Sequence, residues 1–212
     1  MPSPRIRRLQ LDYQLLTSRL ANWPVIQITG TAGIPPEIYR IAYHLQGLYV
    51  APGGEILERA AHVMEINLSL GYPRRAPQCR MLTPVFHPNF DEAQVCIGDF
   101  WAASEGLDDL VVRVGRMICY QEYNTKSPLN GLAAKWVEQN VSLLPIDSRN
   151  VAPPAANGVA PRAPASEAQV ALANSVPSAG EAAAHQTPSA APSEAVSSPS
   201  AEDPWSQKIS IS

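Results

Sequence analysis

The chain has little of what would place a protein in a simple class. Its 212 residues hold only three cysteines, Cys79, Cys96 and Cys119, widely spaced and without a Cys-x-x-Cys pair. That argues against a disulfide framework and against a structural zinc site, and no metal or other cofactor is expected. A reducing, cytoplasmic compartment is the expected setting. No apolar run approaches the ~20 residues needed to span a bilayer, so no membrane partner is expected. The first residues, MPSPRIRRLQLDY, carry positive charge but no following apolar stretch, so they do not read as a secretory signal. Net charge is −3, which supplies no basic field for nucleic acid.

Bulky apolar residues in the last third are isolated and never periodic. From about Val151 the chain is dominated by Ala, Pro and Ser. Such a stretch buries too little surface to offset its ordering entropy. The expected division is a folded domain over 1–145 and a disordered Ala/Pro/Ser-rich tail over 146–212. The final residues, PWSQKISIS, contain Trp205, with Ile209 and Ile211 alternating with serines. They read either as a frayed terminus or as a short docking motif that pairs with a sheet edge. The chain closes on Ser212, not on the Gly-Gly of a conjugated modifier.

What is present lies in the first 150 residues. Ser3 and Pro4 open a helix, as N-cap and first helical residue. Ile6, Leu9, Tyr13, Leu16 and Leu20 follow helical spacing. Arg5, Arg8, Asp12 and Arg19 fall on another face, with Arg7 nearby. That face is either solvated or a basic docking surface. After Pro24, four strands are expected: residues 25–32, 38–46, 62–70 and 79–82, two of them with clear alternation. Gly53-Gly54 reads as loop punctuation. The short connections imply an antiparallel meander. Leu107, Leu110, Val111, Val114, Met117 and Ile118 then recur at helix periodicity, with Gly115 inside the run as a point of close helix–sheet contact. Residues 129–140 form a second, shorter helix. The fold class is α+β: a four-stranded antiparallel meander backed by helices.

The chemistry centres on HPNFDEAQVCIGDFW, residues 87–101. Cys79 sits in a strand and Cys119 on an apolar helix, so both read as buried small hydrophobes. Cys96 lies in a long loop between strand and helix, where functional residues concentrate. A protease-type nucleophile would need a histidine base oriented by a third group. His44 and His62 are in or beside strands and His185 is in the tail. His87, the near one, is constrained by Pro88. A metal site on His87 and Cys96 lacks two further ligands.

The order YPRRAP, HPN, a cysteine, Trp101, a helix, then Pro128-Leu129-Asn130 before a last helix resembles the ubiquitin-conjugating enzymes. The resemblance covers about residues 4–140. It implies that Cys96 accepts the C-terminal glycine of a ubiquitin-like protein as a thioester, delivered by an activating enzyme and passed on to a protein substrate. Asn89 matches the asparagine that stabilises the oxyanion or orders the loop. His87 and Pro88 match the structural part of the triplet. Tyr72, Pro73 and Pro77 match a Tyr-Pro turn, and Trp101 a tryptophan beyond the cysteine. Ser127 falls at the mouth of the site, or merely caps the final helix. The basic first helix, with Arg5, Arg7 and Arg8, matches the docking surface for the activating enzyme.

A thioester is already activated, so such an enzyme needs an oxyanion donor more than a strong base. One well-placed donor is worth roughly 10²–10³ in rate. Several features depart from the family pattern. The gap from Asn89 to Cys96 is short, Ala76 replaces a proline, Ile97-Gly98-Asp99 follows the cysteine, and no acid stands beside Pro128. These departures and the Ala/Pro-rich tail suggest a bacterial conjugation system, of the kind found in antiphage defence. The alternative is a non-catalytic adaptor of the same fold that only binds a ubiquitin-like protein.

Overall fold

A computed structural model describes residues 1–97 and 101–154. The expectations for the tail, including Trp205 and the PWSQKISIS terminus, lie outside the described residues.

The first helix, α1, spans Pro4–Leu20. Ser3 caps it, its hydroxyl accepting from the Ile6 amide at 3.3 Å. The main sheet runs in the order β1 (Ile26–Ala32), β2 (Ile38–Tyr43), β5 (His62–Asn67) and β6 (Gln78–Met81), all neighbours antiparallel. The meander expected from the short connections is therefore present. Between β2 and β5 the chain adds a hairpin that the sequence reading leaves as loop: β3 (Gly47–Val50) paired with β4 (Ile56–Arg59). Helix α2 spans Leu107–Ile118 and α3 spans Gly131–Gln139, followed by a 3-10 turn over Val141–Leu143.

One face of the sheet carries the main core. Tyr39, Ile41, Tyr43, Met64 and Ile66 alternate inward and meet Leu9, Leu16 and Leu20 of α1 and the apolar side of α2. The Tyr43 hydroxyl donates to the Val111 carbonyl at 3.0 Å, joining sheet to helix without an unpaired buried O–H. Gly115 lets α2 come close. A Cβ there would stand 2.6 Å from Val151 Cγ1 and 3.3 Å from the Tyr43 ring.

Two details of α1 differ from the expected stripe. Tyr13 is partly exposed, while Asp12 is buried. Asp12 has partners that helical spacing does not reveal. Arg8 Nε donates to its Oδ2 at 2.8 Å and the Tyr72 hydroxyl at 2.6 Å. Likewise Leu70, expected at the end of a strand, is exposed beyond the end of β5.

Residues 146–154, which composition groups with the tail, pack on the fold. Asp147 Oδ2 accepts the Gln46 amide at 2.9 Å and is paired with Arg149, whose guanidinium also donates to the His44 carbonyl at 2.9 Å. Gln121 Nε2 donates to the carbonyls of Asp147 and Arg149 at 2.8 Å each. Val151 is buried against the main core. The folded part thus extends past the expected boundary at 145.

A smaller second cluster joins Leu48 of β3, Phe86, Tyr120, Ala133 and Val137. It lies under the loop that carries the candidate chemistry.

Candidate active site

The loop begins where Phe86 leaves the sheet region, its amide bonded to the Leu48 carbonyl at 2.7 Å. His87 is fully buried and held between two rings, with centroids 4.6 Å from Phe90 and 4.7 Å from Tyr120. Its Nδ1 accepts the Asn89 amide at 3.1 Å, so the proton of the neutral ring is on Nε2. Burial pushes its pKa down to about 3, and the Glu122 backbone opposes this only in part. At neutral pH the ring is an uncharged wedge inside the protein.

Tyr120 supports that wedge. It follows α2 in the left-handed backbone region, at φ 61°. For a bulky residue this conformation costs of order 1–2 kcal/mol, and packing must hold it. The ring lies tilted against Trp136 of α3, with centroids 6.0 Å apart, and its hydroxyl donates to the Phe86 carbonyl.

Asn89 is buried, and both ends of its amide grip one residue. Nδ2 donates to the Asn124 carbonyl at 2.9 Å and Oδ1 accepts the Asn124 amide at 2.8 Å. Next to it, the Pro88 carbonyl accepts the Asn130 amide at 3.0 Å. Asn130 in turn caps α3 through Oδ1 to the Ala133 amide at 3.0 Å. The His-Pro-Asn triplet is therefore tied to both the segment after α2 and the start of α3.

The short gap between Asn89 and Cys96 is closed by a tight turn. Asp91 Oδ1 accepts the amides of Ala93 and Gln94 at 2.8 and 2.7 Å, in the Asx-turn manner. Phe90 and Val95 then pair across the turn. The Cys96 amide reaches the Asn89 carbonyl at 2.8 Å, while Val95 bonds the Cys79 carbonyl at 2.8 Å. This brings Cys96 and Asn89 together. Cys96 is partly exposed and unpaired, whereas Cys79 and Cys119 are buried. Burial raises the Cys79 thiol to about 12 and the Cys119 thiol to about 11, which leaves both protonated and inert.

Trp101 follows residues 98–100 in the sequence. Its Nε1 donates to the Pro73 carbonyl at 2.7 Å, and its ring lies 6.0 Å from Tyr72. Tyr72 belongs to the buried hub of Asp12 and Arg8, and Arg8 also donates to the carbonyls of Ala103 and Glu105. A chain of contacts thus runs from α1 through the Tyr-Pro turn to the segment following the cysteine. Ser127 is exposed on the segment between Asn124 and α3.

The arginines of α1 divide. Arg5 is bonded to Glu37 at 2.9 Å and to the carbonyls of Leu68 and Ser69. Arg8 is turned into the hub. Arg7 is exposed, its guanidinium meeting only the Pro2 carbonyl among the described residues. Sequence reasoning missed Asn124, Tyr120 and Asp12. The first offers only its backbone to Asn89, and the other two owe their places to partners far along the chain.

Among the described residues there is no group of three or more His, Cys, Asp or Glu able to hold a metal ion. No helix among them is long and apolar enough to cross a membrane.

Over 94 residues the chain is 32% identical to ubiquitin-conjugating enzyme E2 T of Danio rerio, a match covering 44% of each protein. The chain thus spans less than half the length of that curated relative. Among solved structures, S. cerevisiae Ubc12 is 21% identical, with a TM-score of 0.49 over 65% of this chain and 73% of that one. A structure described as a novel ubiquitin-conjugating enzyme is 20% identical, with a TM-score of 0.48 over 65% of this chain and 87% of that one. Residues 9–144 match the sequence profile of the ubiquitin-conjugating enzymes. With well over half of its length inside that match, from α1 to the turn after α3, the chain belongs to the ubiquitin-conjugating enzyme family.

Proposed function

We propose that the protein is a conjugating enzyme that carries a ubiquitin-like protein as a thioester on Cys96. The Cys96 thiolate attacks the modifier's C-terminal thioester on an activating enzyme, and the activating enzyme's thiolate leaves. An amine, the ε-amine of a target lysine, then attacks the carbonyl. The Cys96 thiolate leaves, the amine loses a proton to solvent, and an amide remains. The observation that supports this reading is a partly exposed Cys96 whose amide bonds the carbonyl of the buried, oriented Asn89, with the two other cysteines buried.

Asn89 is assigned the oxyanion. One of its Nδ2 hydrogens is directed at Asn124, and the second is the donor for the developing charge. The clamp on Asn124 holds that donor in place before the reaction begins, so no reorganisation is needed in the transition state. His87 and Pro88 shape the loop, and a neutral buried imidazole does not act as a base. Keeping a general base away from the thioester also limits its hydrolysis. Trp101 braces the segment after the cysteine. Ser127, exposed near the Asn124 anchor, lies at the mouth for the incoming amine. Arg7 is the α1 arginine presented to an activating enzyme, with Arg5 and Arg8 holding the helix that presents it. The unpaired thiols fit a cytoplasmic setting. The Ala/Pro-rich tail and the departures around Cys96 support a bacterial, defence-type conjugation system.

The test is charging with activating enzyme, ubiquitin-like protein and ATP, read on a non-reducing gel. A thiol-sensitive adduct is expected, absent in Cys96→Ala and replaced by a thiol-resistant ester in Cys96→Ser. No adduct, or one that survives Cys96→Ala, overturns the reading. An adaptor that only binds the modifier would bind without any such adduct.

A further inference from the structure

The chain carries its positive charge almost wholly on arginine. Of its 16 lysines and arginines only 3 are lysines: Lys126, Lys135 and Lys208. Every ion pair among the described residues is made by an arginine. The two side chains differ in chemistry. A guanidinium stays protonated and is no nucleophile, whereas a lysine that sheds its proton becomes a reactive amine. A chain that holds an acyl thioester is open to attack by its own amines, so the places of its few lysines matter. Lys208 lies outside the described residues.

Lys126 stands on the rim of the candidate active site. It is exposed, and its amide donates to Asn124 Oδ1 at 2.8 Å. The Asn124 amide donates to Asn89 Oδ1 at 2.8 Å, and the Asn89 carbonyl accepts the Cys96 amide at 2.8 Å. Three hydrogen bonds thus link the main chain at Lys126 to the main chain at Cys96. The ammonium of Lys126 enters no ion pair among the described residues, and its four-carbon stem is flexible. Lys135 is placed differently. It is exposed on α3, nearly opposite Ala133 and Val137, which pack into the small cluster under the cysteine loop.

We propose that Lys126 is a self-modification site, which accepts the modifier from Cys96 of the same molecule when no target arrives. The proposal rests on the reading of Cys96 as the thioester carrier. The unprotonated Lys126 Nζ attacks the thioester carbonyl carbon. A C–N bond forms, the C–S bond breaks, Cys96 leaves as thiolate, and the nitrogen loses a proton to solvent. The product is an amide on Lys126, and the thiol is free to be charged again. Amine and thioester share one chain, so the amine acts at an effective concentration of about 1 mM or more. A separate target has to compete with it. A modifier joined at Lys126 sits between the anchors at Asn124 and Asn130, on the rim that an incoming amine crosses. Its presence there slows later transfer, so self-modification limits how long the charged protein waits for a target.

The test uses the full chain, charged with activating enzyme, ubiquitin-like protein and ATP. After ATP is removed, the charged protein is followed without any target on a reducing gel, and peptide mass spectrometry reads the modified residue. The thioester should give way to a thiol-resistant product joined at Lys126, at a fractional rate independent of protein concentration. Lys126→Arg keeps the positive charge and should slow that product about tenfold or more, with thioester loading unchanged. Lys135→Arg should change neither. Protein already modified at Lys126 and then recharged should pass the modifier to added lysine several-fold more slowly than unmodified protein. Equal transfer rates overturn the limit that the modification is proposed to set. A thioester that yields no thiol-resistant product overturns the whole proposal, as does a product joined at Lys135, Lys208 or the N-terminal amine in place of Lys126. A fractional rate that rises with protein concentration also overturns it, because transfer would then run between copies. Absence of any thioester overturns the reading of Cys96 itself, and this proposal with it.

Discussion

The main core and the small cluster under the cysteine loop are built on different rules. The core is mostly aliphatic, and its residues come from long elements with clear periodicity: Leu9, Leu16 and Leu20 from α1, Ile41, Met64 and Ile66 from the sheet, Val111 and Val114 from α2. Each is interchangeable in kind with its neighbours. The small cluster of Leu48, Phe86, Tyr120, Ala133 and Val137 is extended by a set of touching rings, Phe86, His87, Phe90, Tyr120 and Trp136, of which all but Trp136 lie outside the regular elements. There, ring geometry and hydrogen bonds to single atoms fix the arrangement. The first region supplies stability by area, and the second supplies position. A mutation in one should therefore read out differently from a mutation in the other.

The largest effect on stability is expected in the core. Leu16 is fully buried, and Leu16→Ala should destabilise the protein by about 3–5 kcal/mol in denaturant unfolding. Charging of Cys96 should be unchanged at temperatures where the variant remains folded. If charging falls in step with neither Tm nor midpoint, the separation of the two regions is wrong.

Acid comes next, and it acts on buried histidines. His87, packed between Phe90 and Tyr120, and His62, the first residue of β5, have folded pKa values lowered to about 3 and about 4 by burial. The unfolded chain takes up protons near pH 6.5, and the folded chain does not. Stability is thus undiminished by these groups above pH 6.5 and falls as pH drops from 6.5 towards 4 and then 3. By pH 5 each histidine should cost roughly 2 kcal/mol, measured as the shift of the urea midpoint from pH 7 to pH 5. His87→Phe should remove about half of that shift.

Asn89 stands at the meeting of position and chemistry. Asn89→Ala should slow transfer from Cys96 to an amine by about 10²–10³, with loading far less affected. It should also lower stability by roughly 1–3 kcal/mol, because the Asn124 amide and carbonyl lose their buried partners. Loss of stability with full transfer activity would assign Asn89 to loop ordering alone. The smallest effect is expected from Gly115→Ala. Its new methyl group would push on Val151, costing about 1–3 kcal/mol in thermal unfolding without touching the site.

How legible each region was follows from the same contrast. Ser3-Pro4 and the α1 spacing gave the first helix its start, and alternation gave β2 and β5, because area-driven burial leaves a period in the sequence. The hairpin of β3 and β4 left no such trace. Its strands are four residues long, and Val50 and Leu57 are largely exposed. Asp12 looked like a solvated charge, because Tyr72, which buries it, is 60 residues away. The segment 146–154 looked like tail, because its attachment is a polar clasp of Asp147, Arg149, Gln46 and Gln121 rather than an apolar run. At the site, Cys96, His87 and Asn89 were readable as a motif. Their partners were not, since a bond to a backbone group leaves no mark on side-chain identity.

That last point has a consequence for how the cleft can change over time. Asn89 holds position 124 by its main-chain amide and carbonyl, and Pro88 holds position 130 by its main-chain amide. Neither grip asks for a particular side chain at 124. The rim from Tyr123 to Leu129 is thus anchored at both ends by contacts indifferent to its own composition. Exposed side chains between the two anchors, such as Ser127, can be exchanged without loosening either grip.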